Sequence, residues 1–262
     1  MIKRVISWII MVVVAIPIIF AGGEIYNIVI ALIALLATNE LIKVRKKKKD
    51  IPFIMQLLTY FFVLMLLGLN LNNTAFDINL NYFIALVLTF FLPLVFYHES
   101  KKYQFNDALY LIGTILLVGV AASLFILFRN MRMAYIVYVL LISVATDTFA
   151  YAGIFIGKHK LTPISPKKSW EGTIYGTFMA TVIASLFYVN VIDSNINLLT
   201  LVSVTLFISI ISQFGDLIFS VIKREYKIKD YGNLIPGHGG VLDRIDSVIF
   251  ALLAFALILP FL

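Results

Sequence analysis

The stretch PGHGGVLDRID, residues 236–246, threads a histidine, an arginine and two aspartates onto three glycines, in a chain that is 61% hydrophobic and only 13% charged. Asp243 and Asp246 stand three residues apart at the expected start of a helix, a spacing that puts both carboxylates on one face. Together with Asp216 they offer hard oxygen ligands for Mg2+, an ion that usually takes one or two protein carboxylates and completes its shell with water and substrate phosphates. Gly237, Gly239 and Gly240 free the backbone to adopt special dihedrals and to present N–H groups to phosphate oxygens. Just upstream, SVIKREYKIKD supplies Lys223, Arg224, Lys227 and Lys229, and Arg244 follows. Carboxylates, a divalent ion, a glycine turn and a basic clamp in one segment point to phosphoryl or nucleotidyl transfer.

A second polar segment, LTPISPKKSWEGT at 161–173, sets Lys167 and Lys168 just before a helix start at which Ser169 is the expected cap, an arrangement suited to anionic oxygens. Two further carboxylates fall inside apolar runs. Asp147 stands ten residues before Gly157, roughly 15 Å at 1.5 Å per residue, and Tyr151 and Lys158 share its helical stripe. Asp216 is followed by Ser220, Lys223 and Lys227 on a stripe of its own. A carboxylate at such depth faces a protein interior, a partner or a water-filled space, or is a neutral acid hydrogen-bonded in a core. The two stripes together describe a polar funnel opening inward.

The elements that hold these residues are membrane helices. A span needs roughly 20 mostly apolar residues, and nine runs qualify: 5–21, 25–42, 52–69, 80–97, 108–128, 133–156, 173–192, 198–222 and 246–262. The first also has the look of a secretory signal peptide, but GGEIYN leads within a few residues into another span. With the N-terminus cytoplasmic and the C-terminus outside, every one of the 21 basic residues except Arg129 and Arg132 falls on the inner side. This is the positive-inside pattern, and miscounting a middle helix would scramble it.

The fold class expected is therefore all-α and polytopic. Residues 1–133 form a five-helix scaffold, and 134–262 a four-helix catalytic region with cytoplasmic loops 157–172 and 223–245. The run KVRKKKKD is read as a solvated topology anchor that also touches anionic lipid. The net charge of +7 is mostly topogenic, so no nucleic-acid partner is inferred. With no cysteine in the chain, disulfides, thiolate metal sites and cysteine nucleophiles are excluded.

At residues 220–246 the sequence closely resembles the phosphatidate cytidylyltransferase, or CDP-diacylglycerol synthase, family. Ser220, Ile222, Lys223, Arg224, Lys229, Asp230, Gly232, Ile235, Pro236, His238, Gly239, Gly240, Val241, Asp243, Arg244, Ile245 and Asp246 meet every fixed position of that family's diagnostic stretch. SQFGDL around Asp216 and GKHKLTPISPKKSWEG from Gly157 also look like family segments, and the likeness thins before about residue 140. In the sixth run the family's pattern has a slightly longer Asp-to-Gly-Lys spacing and a basic residue after its glycine. Here Ile154 follows Gly153, so no catalytic weight is placed on Asp147 or Tyr151.

The resemblance implies that CTP and phosphatidic acid give CDP-diacylglycerol and pyrophosphate with Mg2+, and with room for a second, monovalent cation. It implies a catalytic set of Asp243, Asp246, Lys223 and His238, with metal held by Asp216 and Asp243 and with Asp246 as a further carboxylate. Lys223, Arg224, Lys229 and Arg244 would clamp the triphosphate and phosphatidate, helped by Lys167 and Lys168, while Ser220, Gly239 and Gly240 contact substrate. Asp230 would orient Lys229 or Arg224, and His238 would serve as phosphate ligand or loop organiser. A homodimer in the cell membrane, with its active site facing the cytoplasm, is also implied. The rivals are another membrane enzyme of nucleotide-lipid chemistry and an ion-coupled transporter. A CDP-alcohol phosphotransferase would need an Asp-Gly…Ala-Arg string absent here, and a transporter leaves PGHGGVLDRID unexplained.

Overall fold

In a computed structural model, residues 2–71, 73, 76, 79–97, 101–166, 168–235 and 239–261 are described. Ten α-helices follow one another with short connections and no strand among those residues: α1 (Ile2–Ala21), α2 (Gly23–Lys46), α3 (Phe53–Asn70), α4 (Leu80–Phe91), α5 (Pro93–Phe96), α6 (Phe105–Met131), α7 (Met133–Ile156), α8 (Trp170–Phe187), α9 (Leu198–Glu225) and α10 (Leu242–Ile258). Every apolar run read from the sequence is helical. The run at 80–97 is divided between α4 and α5, because Pro93 has no N–H to continue the ladder. Six helices of the described residues are long and apolar enough to cross a membrane: α2, α3, α6, the 133–151 part of α7, α8 with its π-helical extension to Ile192, and α9. The protein is all-α and multi-pass.

The chain forms two compact units, 1–131 with 230–243, and 132–229 with 244–262. The segment 230–243 thus belongs to the first unit.

In the first unit α6 packs against α2 and α3. Gly119 of α6 lies so close to Leu66 that a Cβ there would stand 3.0 Å from its Cδ2. The lysine-rich run is not wholly solvated, as its composition suggests. Asp107 of α6 is fully buried, and its carboxylate accepts from Arg45 Nη2 at 2.5 Å, Lys49 Nζ at 2.7 Å and the backbone N–H of Gln104 at 2.9 Å. A buried carboxylate draws cations out of water because the uncompensated charge would cost far more than the pairing. Two members of the run therefore fasten the end of α2 to the start of α6.

In the second unit α7, α8 and α9 pack on one another, helped by small residues and hydroxyls. A Cβ on Gly176 would stand 2.6 Å from Thr146 O and 2.8 Å from Ala150 N, so α7 and α8 meet backbone to backbone. Thr146 Oγ1 and Ser209 Oγ lie 2.7 Å apart, as Tyr138 OH and Thr205 Oγ1 do at 2.6 Å. Such bonds link helices where no water competes for the polar groups. Arg132 donates to Ile192 O at 2.7 Å and Val191 O at 2.9 Å, satisfying carbonyls left over at a helix C-terminus.

Candidate functional site

The residues singled out by sequence fall into two sets, one in each unit. In the first unit lies the glycine loop. Ile235 N donates to Gly239 O at 2.9 Å, closing the loop, and Gly239 has φ of 86°, a left-handed conformation that favours glycine. Asp243 is buried, and its Oδ2 accepts the backbone N–H of Tyr231 at 2.7 Å and of Gly240 at 2.9 Å. One carboxylate oxygen therefore ties both ends of the loop to the first turn of α10. The Gly240 N–H, which the sequence offers to a substrate phosphate, is directed at Asp243 instead. Pro236, Gly237 and His238 lie outside the described residues, as does Lys167 of the other loop.

Sequence reasoning missed one residue of this loop. Glu40 of α2 is buried, and its two oxygens accept from Val241 N at 2.9 Å and Leu242 N at 2.8 Å. These are N–H groups at the start of α10 that have no partner within the helix, and an anion there is favoured by the helix dipole. The available signal was a lone acid in the apolar run of α2, four residues before Val44. Set among apolar residues of a span that reads as scaffold, it carries no local mark of its distant partners.

In the second unit three carboxylates come within electrostatic reach of one another: Asp147 of α7, Asp216 of α9 and Asp246 of α10. Lys168 forms an ion pair with Asp216. Lys223 lies 3.7 Å from Asp246 Oδ2, with both side chains nearly buried. Asp147 is exposed rather than sealed in a core, and its Oδ2 accepts from Ser247 Oγ at 2.9 Å. Ser247 Oγ in turn accepts from Ser143 Oγ at 2.9 Å, and Ser212 donates to the Ser247 carbonyl at 3.2 Å. Hydroxyls from α7, α9 and α10 thus fix the floor beneath the acidic group. Tyr151 is exposed, and Ser220 is buried on α9 one turn from Asp216.

The loop before α8 positions Lys168. Leu161 N donates to Lys168 O and Trp170 N to His159 O, at 2.9 and 3.0 Å, so 159–170 closes on itself. Ser169 caps α8 as its position predicts, accepting from Gly172 N at 3.1 Å. Glu171 Oε1 meets His159 Nδ1 at 2.7 Å and steadies the outer strand of the loop. Arg224, expected as a phosphate clamp, donates to Ile228 O at 3.3 Å and Ile164 O at 3.5 Å, so here it joins the two polar loops. Lys229, Asp230 and Arg244 are exposed.

A groove of about 760 Å3 opens between α8 and α9, lined by apolar side chains such as Ile174, Phe178, Leu206, Ile210 and Phe214. Gln213 at its wall donates to Thr177 Oγ1 at 2.6 Å.

Among the described residues no group of three or more His, Asp or Glu side chains is gathered closely enough to hold a metal ion by itself. The donor set nevertheless suits Mg2+, which needs only one or two carboxylates. Asp216 and Asp246 supply hard oxygens, and the 3.7 Å separation at Asp246 leaves its charge loosely countered. The site thus sets two lysines, Lys168 and Lys223, against two carboxylates, Asp216 and Asp246.

The chain is similar throughout its length to proteins of one family. The model of the cytidylyltransferase family matches residues 2–262. A protein of Staphylococcus haemolyticus (strain JCSC1435) named phosphatidate cytidylyltransferase is 35% identical over 254 residues, 95% of either chain. Proteins of the same name from Staphylococcus aureus (strain COL) and Staphylococcus epidermidis (strain ATCC 35984) are 36% and 34% identical, again over 95% of both chains.

Proposed function

Because the chain belongs to the cytidylyltransferase family, we propose that it transfers the cytidylyl group of CTP to phosphatidic acid, giving CDP-diacylglycerol and pyrophosphate for phospholipid synthesis. The observation that carries this reading is coverage: the likeness to proteins of that name runs through 95% of both chains, not through one motif alone.

In the reaction an oxygen of the phosphatidate monoester attacks the α-phosphorus of CTP in line. The new P–O bond forms as the bond to the β-phosphate oxygen breaks, and pyrophosphate leaves with the electron pair. A phosphate monoester has a second pKa of about 6, so the nucleophile is already ionised near pH 7 and needs no strong general base. Lysines carry most of the electrostatic work on this chain's side. Lys168 and Lys223, now paired with Asp216 and Asp246, exchange carboxylate partners for phosphate oxygens when substrate arrives, and Lys229 of the exposed loop and Arg244 of the first turn of α10 reach it. Asp243 keeps the glycine loop closed. Mg2+, when bound by Asp216 and Asp246, would neutralise charge on the triphosphate and the departing pyrophosphate; a monovalent cation is part of the same proposal. The groove between α8 and α9 gives acyl chains an apolar seat beside the polar loops.

The same reading assigns nine spans with the N-terminus and the two polar loops cytoplasmic, residence in the cell membrane, and a homodimer. The positive-inside distribution of basic residues supports the orientation. Purified protein in lipid-detergent micelles, given radiolabelled CTP and phosphatidic acid with and without Mg2+, should form a labelled lipid only when all three are present. Absence of that lipid under every divalent ion tried would overturn the assignment.

A further inference from the structure

We infer that Glu40 is a positioning residue for this transfer, a carboxylate from α2 that pins the glycine loop from outside its own sequence; the proposal rests on the function just stated. Glu40 takes the N–H groups of Val241 and Leu242 on its two oxygens. Asp243, the next residue, takes those of Tyr231 and Gly240. Two buried carboxylates thus hold four amides, those of Tyr231 and of the consecutive residues 240–242, and the backbone leading into Asp243 has no freedom to slide. A Glu–amide pair of this kind is charge-assisted and stronger than its neutral counterpart.

The same contact explains two glycines of the motif. A Cβ on Gly232 would stand 2.8 Å from Glu40 Oε1, and one on Gly240 would stand 2.6 Å from its Cδ and Oε2. Both have ordinary, negative-φ backbone, since the positive-φ glycines among the described residues are Gly22, Gly23 and Gly239. Conformational freedom therefore does not account for glycine at 232 or 240. Room for the Glu40 carboxylate does. Gly239, with its φ of 86°, is the one that the turn itself requires.

The test uses full-length protein in micelles and four variants: Glu40→Gln, Glu40→Ala, Gly240→Ala and the Glu40→Ala/Gly240→Ala pair. Misplacing a reacting group by about 1 Å can cost about 100-fold in rate. Glu40→Ala should accordingly lower kcat by roughly 10- to 100-fold while the KM for CTP stays within about threefold. Glu40→Gln, which keeps one acceptor oxygen, should fall between it and wild type. Hydrogen exchange of the 239–243 amides should quicken in both, with protection of α6 unchanged. The pair should be no worse than Glu40→Ala alone, because removing the carboxylate removes the clash that Gly240→Ala creates.

Wild-type kcat in Glu40→Ala, unchanged exchange at 239–243, or losses that simply multiply in the pair would each overturn the proposal. So would activity that falls only in step with the folded fraction. Failure of wild type itself to make a labelled lipid would count against the assigned reaction, and the exchange measurement would still decide whether Glu40 holds the loop.

Discussion

Replacing Asp243 with asparagine separates a structural from a chemical role for the motif's first aspartate. Its Oδ2 accepts two backbone N–H groups, from Tyr231 at 2.7 Å and Gly240 at 2.9 Å. Asparagine keeps an acceptor of the same shape but loses the charge. A hydrogen bond to a charged group contributes about 1.5–3 kcal/mol and a neutral one about 0.5–1.5 kcal/mol. Asp243→Asn therefore costs roughly 1 kcal/mol per bond and about 2–3 kcal/mol in all. Against a typical stability of about 5–15 kcal/mol, that leaves nearly every molecule folded. If Asp243 only closes the loop, asparagine, which still accepts both amides, should cost less turnover than the loosened loop of Glu40→Ala, and so well under about 100-fold. If its charge also faces substrate phosphates and a cation, the loss should reach at least the roughly 100- to 1000-fold seen when one preorganised electrostatic group is removed from an active site. The assay is labelled CTP incorporation into lipid, normalised to folded protein measured by thermal unfolding in micelles. Near-normal turnover with a lowered Tm would refute the chemical role; loss of two orders of magnitude or more with the chain still folded is the result expected.

Other consequences follow from the same contacts. The Lys168–Asp216 pair is partly buried, so a double-mutant cycle of Lys168→Met and Asp216→Asn should show a coupling of about 1–2 kcal/mol in thermal unfolding, between the values for exposed and buried pairs; additive effects would show that the two side chains do not meet. Gly176→Ala drives a methyl into the α7 backbone and should cost about 1–3 kcal/mol by overpacking, whereas Gly113→Ala, with nothing within 4 Å, should be neutral or slightly stabilising; equal Tm values for the two would contradict the close approach of α7 and α8. Asp107→Asn strips two cations of a fully buried partner and should lower stability by about 3 kcal/mol, at the low end for a buried pair because Arg45 and Lys49 retain some access to water; the check is the unfolding midpoint with Arg45→Met as comparison.

Helices were the most legible part of this chain, because membrane-length apolar runs leave the backbone no other way to satisfy its hydrogen bonds. The helices overrun the apolar runs by a few residues where polar ends continue the ladder, as in α2 (Gly23–Lys46), α6 (Phe105–Met131) and α10, which begins at Leu242, and Pro93 breaks one run in two. The site was legible where chemistry is written into residue type. Charged groups next to apolar spans are expensive, so Asp216, Asp246 and the lysines of 223–229 stand out in one dimension as they do in three. What could not be read was which polar group answers which. Arg45 and Lys49 look like any cytoplasmic basic run until the burial of Asp107, some 60 residues on, makes them ion-pair partners.

Glu40 is the sharpest case, because it meets its amides across 201 and 202 residues of sequence and no local periodicity encodes such a contact. A physical trace of it does exist, at the other end. Of the glycines at 232, 239 and 240, only Gly239 takes a left-handed conformation. A glycine with ordinary dihedrals at a buried position implies that something presses against it, and in a loop whose N–H groups open a helix the favoured intruder is an anion. Most acids of the first half lie at helix ends or in connections, and Glu40 is the one that α2 carries inside its apolar run. Glycines 232 and 240 are thus the local imprint of a distant carboxylate, carried by a helix whose sequence reads as scaffold.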